Sequence, residues 1–174
     1  MPLRMLCFLL VASLAGAQPA RFRLDVPFVR QEKNGCGAAA ISMVIEYWRG
    51  SSGAGSPARA QTIQRMLYSR EANGIFAGDM ERYFREQGFR TFAFQGEWED
   101  LARHLSKGRP LIVCLKEGGS RHFVVVSGLD EEHALVLLND PARRKLAKAD
   151  RAGFEKQWRA MSNWTLLALP QHAR

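Results

Sequence analysis

The period of the hydrophobic pattern changes halfway along this chain, and that change restricts the fold more than any other feature. Ile41, Val44, Ile45 and Trp48 repeat at i, i+3, i+4 and i+7, the stripe of a helix with one buried face. The spacing predicts a second helix over 58–68, with Ile63, Met66 and Leu67 inward. A third runs from Asp79 as N-cap through Met80, Tyr83 and Phe84 to a stop at Gly88. Beyond that point alternation and short apolar runs take over. Residues 24–29 read as a short strand or extended lead-in, and strands are predicted over 89–94, 110–115 and 164–169. Two more, over 122–129 and 134–140, flank the polar turn 130–133. Helices over 97–106, with Trp98, Leu101 and Leu105 inward, and around 150–158 interrupt them. A helical first half packed on an antiparallel sheet is an α+β domain of two layers. Met66, Met80, Trp98 and Trp158 belong to its core.

Residues 1–17 are set apart from this pattern. Arg4 gives a positive start, 5–14 form an apolar run, and Ala15, Gly16 and Ala17 have the small side chains a signal peptidase requires. Some ten apolar residues are too few to span a bilayer, which takes roughly 20. The expectation is an export signal cut after Ala17, with no stable membrane insertion afterwards, and one domain over 18–174. Cys7 precedes the end of the apolar run, the wrong place for lipid attachment. Of 174 residues, 25 are Lys or Arg and 17 are Asp or Glu, a net charge of +8. The cations are scattered without interleaved aromatics, so a solvated basic surface is expected and no nucleic-acid partner. The densest group is Arg143, Arg144, Lys145 and Lys148, where acidic peptide segments are expected to be drawn in.

After removal of the signal two cysteines remain, and in an oxidising compartment a disulfide between them is the first alternative to consider. Their settings differ. Cys114 sits in the apolar run 110–115 and reads as a small core side chain. Cys36 stands between Gly35 and Gly37 on the first turn of a helix, where free N–H groups and the helix dipole stabilise a thiolate. The glycines are expected to leave room for a substrate backbone. A thiolate nucleophile needs a base. His104 in a helix, His133 in a turn and His172 in the tail read as solvent-facing, whereas His122 opens the apolar run 123–128. With the hairpin turn centred on Glu131, residues whose numbers add to 262 face each other, and His122 lies opposite Asp140. A one-residue slip would separate the two across the sheet. Gln31 completes the set as an oxyanion donor, alongside the backbone N–H of Cys36.

These residues resemble the bacteriocin-processing, double-glycine leader peptidases and their stand-alone relatives, a branch of the papain-like cysteine peptidases. The resemblance is carried by Val26-Pro27-Phe28, Gln31, Cys36-Gly37 with Ala39, Gly108 with Pro110, His122 with the valines and Gly128 after it, and Asn139-Asp140-Pro141. It implies a papain-like fold, Cys36 as nucleophile, His122 as base then acid, Asp140 as the orienting carboxylate and Gln31 as oxyanion donor. No cofactor or metal is implied. Exporter-linked members of that family carry membrane helices and an ATPase, neither of which is encoded here, so no fused transporter is expected. They also usually place the glutamine six residues before the cysteine, where this chain has five, and many have glycine where this chain has Arg121. The expected activity is hydrolysis of a peptide or protein substrate by a Cys-His-Asp triad. The same site acting as a deamidase or transglutaminase-like acyl transferase, or an inactive exported peptide-binding module, are the alternatives.

Overall fold

The computed structural model describes residues 21–51 and 55–171. The export signal, His172 and part of the glycine-rich stretch 50–56 lie outside the described residues. In chain order the elements are β1 (Arg21–Arg23), α1 (Cys36–Trp48), α2 (Pro57–Leu67), α3 (Ala77–Glu86), β2 (Phe89–Gln95), α4 (Trp98–Leu105), β3 (Leu111–Glu117), β4 (Ser120–Asp130), β5 (Leu135–Asn139), β6 (Ala147–Asp150), α5 (Arg151–Arg159) and β7 (Trp164–Pro170). The strands form one antiparallel sheet in the order β2-β7-β3-β4-β5-β6, with β1 added on β4. This is the α+β class with a helical first half on an antiparallel sheet.

Both faces of the sheet are covered, so the expected two layers become three. Ile112 and Cys114 of β3 and Phe123 and Val125 of β4 face α1, α2 and α3, while Leu111, Val113, Leu115, Val124 and Val126 face Trp98 and Leu101 of α4 and Phe154 and Trp158 of α5. Strands buried on both sides read as unbroken apolar runs, which is how β3 and β4 appear in the sequence. The central helix α1 is buried not on one stripe but around its whole circumference from Gly37 to Glu46. Ala38, Ala39 and Ala40 let it approach the sheet closely, and α2 and α3 cover its outer side.

Two further expectations change. Met66 is 63% exposed, because α2 turns Ala60, Ile63 and Leu67 to the core and Met66 away from it, whereas Met80, Trp98 and Trp158 are core. α3 begins two residues earlier than expected, at Ala77, so Asp79 is a first-turn carboxylate paired with Arg82 and not the N-cap. Of the two readings of 24–29, the structure takes the extended lead-in; the pairing residues are 21–23, held against Gly128–Asp130. Gly128 permits this approach, since a β-carbon there would overlap the Phe22 carbonyl oxygen and lie 2.9 Å from Leu137 Cδ1.

Candidate active site

The turn before α1 is clamped from α2 and the loop after it. Gln64 Nε2 donates to the Lys33 carbonyl at 2.7 Å, Gln61 Nε2 to Glu32 at 2.7 Å, and Asn34, in the left-handed region at φ 58°, donates to Asn73 at 2.7 Å. Gly35 then caps α1 without a side-chain hydrogen bond, so no side chain competes for the first-turn N–H groups. The flanking glycines do not clear a path for substrate, as had been expected. A β-carbon at Gly35 would meet Gln64 Oε1 at 2.6 Å, and one at Gly37 would meet Ile75 at 3.2 Å and Phe123 at 3.6 Å. They allow close packing of the turn and helix against their neighbours.

The strand β5 leaves β4 at the pair Val125↔Asn139, so residues 120–124 of β4 have no strand partner on that side. Cys36 meets this part of β4. The Phe123 and Gly37 N–H groups and the His122 imidazole lie close enough to its sulfur to favour the charged thiolate. His122 Nε2 lies 2.8 Å from Asp140 Oδ1, which leaves Nδ1 for the sulfur. The structure therefore brings Cys36, His122 and Asp140 together.

It does so by a register different from the expected one. Near the turn the paired numbers add to 265, as in Leu129↔Val136, and beyond a bulge between Val126 and Gly128 they add to 264, as in Val126↔Leu138. No ladder position pairs His122 with Asp140 directly. The bulge nevertheless sets the contact. Without it Asp140 would fall beside Val125, whose side chain faces α1; with it Asp140 falls beside Val124, on the side to which alternation also assigns His122.

Asp140 is 1% exposed and fully partnered. Its Oδ1 accepts from the Ala142 N–H at 3.0 Å and its Oδ2 from Arg143 Nη1 at 3.2 Å. The preceding Asn139, also buried, donates to the Val26 and Pro27 carbonyls and accepts from the Leu146 N–H at 3.0 Å, tying the lead-in to α1 to the end of β5. The Gln31 N–H donates to the Pro141 carbonyl at 3.0 Å, which places Gln31 beside the Asp140 turn. Its side-chain Oε1 is buried with no partner among the described residues.

Two residues not anticipated enlarge the site. Glu117 Oε2 lies 3.7 Å from His122 Nε2, and Arg143 bridges Glu117 and Asp140. The two-residue Gly118-Gly119 turn, with both φ positive, fixes this hairpin, and that signal could have put Glu117 near His122. Glu117, His122 and Asp140 have the spacing of a metal site, but the guanidinium of Arg143 already satisfies both carboxylates and repels a second cation. Nor is the basic cluster a free cationic surface, since Arg143 is engaged here and Lys145 pairs with Asp25.

The protonation states follow. Burial pushes the Cys36 thiol up, but the hydrogen bond from His122, the Phe123 N–H, the charge of His122 and the Gly37 N–H together hold it below the usual thiol value. Burial likewise disfavours the His122 cation, yet the hydrogen bonds to Asp140 and Cys36 raise it to about 9. Asp140 is held low against burial by His122, the Ala142 N–H and Arg143. These directions favour the thiolate–imidazolium form of the Cys36–His122 pair over its neutral form. Cys114 is free, buried and pushed up to about 11, chiefly by burial, so it stays a neutral thiol. Of the remaining histidines, His133 is exposed and bonded to Asp130 at 3.0 Å. His104 is half-buried, with its Nδ1 enclosed and unpartnered. Its expected exposure is thus only partial.

Comparison with known proteins gives a consistent picture. The model of the Peptidase_C39 like family matches residues 23–166. Among solved structures, a double glycine motif protease from an AMS/PCAT transporter in complex with the leader peptide is similar at a TM-score of 0.65 and 24% identity, covering 86% of this chain and 94% of that one. The peptidase domain of Streptococcus ComA, a bifunctional ABC transporter of a quorum sensing pathway, is similar at 0.64 and 18% identity, over 84% of this chain and 99% of that one. A C39-like peptidase from Bacillus anthracis is similar at 0.64 and 15% identity, over 88% of this chain and 100% of that one. No curated protein matches the chain.

Proposed function

The chain belongs to the Peptidase_C39 like family of cysteine peptidases, and on that premise we propose that it hydrolyses peptide bonds with Cys36, His122 and Asp140 as its triad, in an exported protein. The observation that carries this reading is the chain of contacts from the Cys36 sulfur through the His122 imidazole to the 2.8 Å bond with Asp140. The thiolate of Cys36 attacks the carbonyl carbon, forming a C–S bond and an oxyanion. Collapse breaks the C–N bond while the His122 imidazolium gives its proton to the leaving amine. Water then attacks the thioester, His122 takes its proton, and the Cys36 thiolate departs. Asp140 keeps the imidazole oriented and favours its cation. Gln31 is placed in the oxyanion role through its amide N–H, with the backbone N–H of Cys36. The backbone bond from the Gln31 N–H to Pro141, which holds Gln31 beside the Asp140 turn, supports that position.

Export rests on the pattern of residues 1–17. Among the described residues no helix is long and apolar enough to cross a membrane. The test is to incubate purified protein with a peptide mixture, beginning with Gly-Gly-containing peptides because one solved relative is a double glycine motif protease, and to map new termini by mass spectrometry. New amino termini that vanish with Cys36→Ala support the proposal. Ammonia release without new termini would move the protein to the deamidase class, and neither product with any peptide would leave it a binding module.

A further inference from the structure

At Phe123, the neighbour of His122 in β4, opens an apolar pocket of about 450 Å3. Cys114, Phe123 and Trp164 line it together with Ala77, Phe94 and Met161. Phe123 and Trp164 meet edge to face at 5.5 Å. The pocket is coupled to the candidate nucleophile through one residue, since the backbone N–H of Phe123 lies close enough to Cys36 to favour its thiolate while its ring forms a wall. No carboxylate lines it.

Arg121 lines it, and directly across the ladder from Arg121 stands a second cation, Lys116. Lys116 and Arg121 are direct partners in the β3–β4 ladder, and each lies two residues beyond one of the pair Cys114↔Phe123, so alternation points both to the side of the sheet on which the pocket opens. The position of Arg121 agrees: it lines the pocket, and its guanidinium lies 6.0 Å from the ring centroid of Phe76, next to Ala77. Like charges directly across a ladder are destabilising. The neighbouring carboxylate that might relieve them, Glu117, is committed to Arg143 near His122. Among the described residues neither Lys116 nor Arg121 has an acidic partner. An uncompensated pair of cations, one of them lining an apolar cavity and next in sequence to His122, is complementary to a ligand with one negative charge beside one large apolar group.

We propose that Lys116 and Arg121 form a carboxylate-binding subsite, and that the protein selects peptides bearing an acidic side chain next to a large apolar residue, the apolar residue filling the pocket. This rests on the peptidase reading above for its consequence on turnover, though not for binding. It assigns to Arg121 a role in specificity, at the residue immediately preceding His122.

The test uses C-terminally amidated peptide pairs that differ only in Glu or Gln beside a Phe or Leu, with the intact protein. The expected result is a kcat/KM about tenfold higher for the Glu peptide at low salt, the size of one charge-assisted contact, shrinking as salt is raised. The preference should disappear in the Lys116→Gln, Arg121→Gln double variant and turn toward a Lys peptide in Arg121→Glu. Should the variants not fold, the wild-type ratio and its salt dependence still decide. Equal turnover of Glu and Gln peptides, a preference indifferent to salt, or a preference seen only with free C-terminal carboxylates would each overturn the proposal. Binding of the same labelled peptides to Cys36→Ala separates this inference from the peptidase reading. Charge-selective binding without any turnover of peptides by the wild type would sustain the subsite and sink the hydrolase, whereas binding without charge preference would sink the subsite.

Discussion

His122 joins two groups of opposite need, a sulfur that must be charged at neutral pH and a carboxylate that must stay so while buried. Because Asp140 and Cys36 both favour its cation, His122 is raised to about 9. Activity that needs the imidazolium as proton donor should therefore persist through neutral pH and fall as pH rises through about 9. On the acid side it should fall as Cys36, held below the ordinary thiol value, regains its proton. Asp140→Asn removes a negative charge that favours the cation. The alkaline limb of the kcat/KM profile should then move to lower pH; an unmoved limb would mean that Asp140 does not set the proton affinity of His122. Cys36→Ala should lower kcat by a factor on the order of 10⁶, the scale at which triad members act as a unit. At this scale Cys36 and His122 were legible in the sequence, because a helix start and a strand start announce themselves in local composition. Glu117 was marked only by the Gly118-Gly119 turn beside it, and its tie to Arg143 not at all, since an ion pair joining residues 26 positions apart leaves no periodic trace.

The elements hold the site through a few polar ties. Asn139 is wholly buried and satisfies the Val26 and Pro27 carbonyls and the Leu146 N–H at once. Asn139→Leu would strand those groups, at about 1–3 kcal/mol for each left unpaired. Urea denaturation should show the loss, and kcat/KM should fall with it because the turn carrying Asp140 is released. Gly128→Ala should also destabilise, by forcing β1 away from β4. Element types were well marked by period, but register was not. The bulge at the middle of β4 hides in the run Val124-Val125-Val126-Ser127-Gly128, where every residue is apolar or small and no alternation remains to reveal an extra one. β6 escaped for a related reason: Ala147–Asp150 is a four-residue edge strand defined by backbone pairing with β5, with little apolar patterning.

For the whole molecule, burial of the sheet on both faces was foreshadowed by the unbroken apolar runs of β3 and β4, although counting helices before strands suggested only two layers. The proposed export signal makes its own prediction. The mature protein recovered outside the cytoplasm should begin at Gln18, and N-terminal sequencing that finds Met1 retained there would remove the cleavage site. In an oxidising compartment Cys36 and Cys114, both free in this structure, should differ in reactivity: mass spectrometry after brief iodoacetamide treatment at neutral pH should find Cys36 modified and Cys114 intact. The charge state of one sulfur decides the account as a whole. Thiolate absorbance in the ultraviolet, titrated from acid to alkaline pH with Cys36→Ala as the blank, should show Cys36 ionising below an ordinary thiol, and His122→Ala should move that transition back toward alkaline pH. A wild-type titration at the ordinary thiol value, unchanged by His122→Ala, would contradict the ion pair on which the proposed catalysis depends.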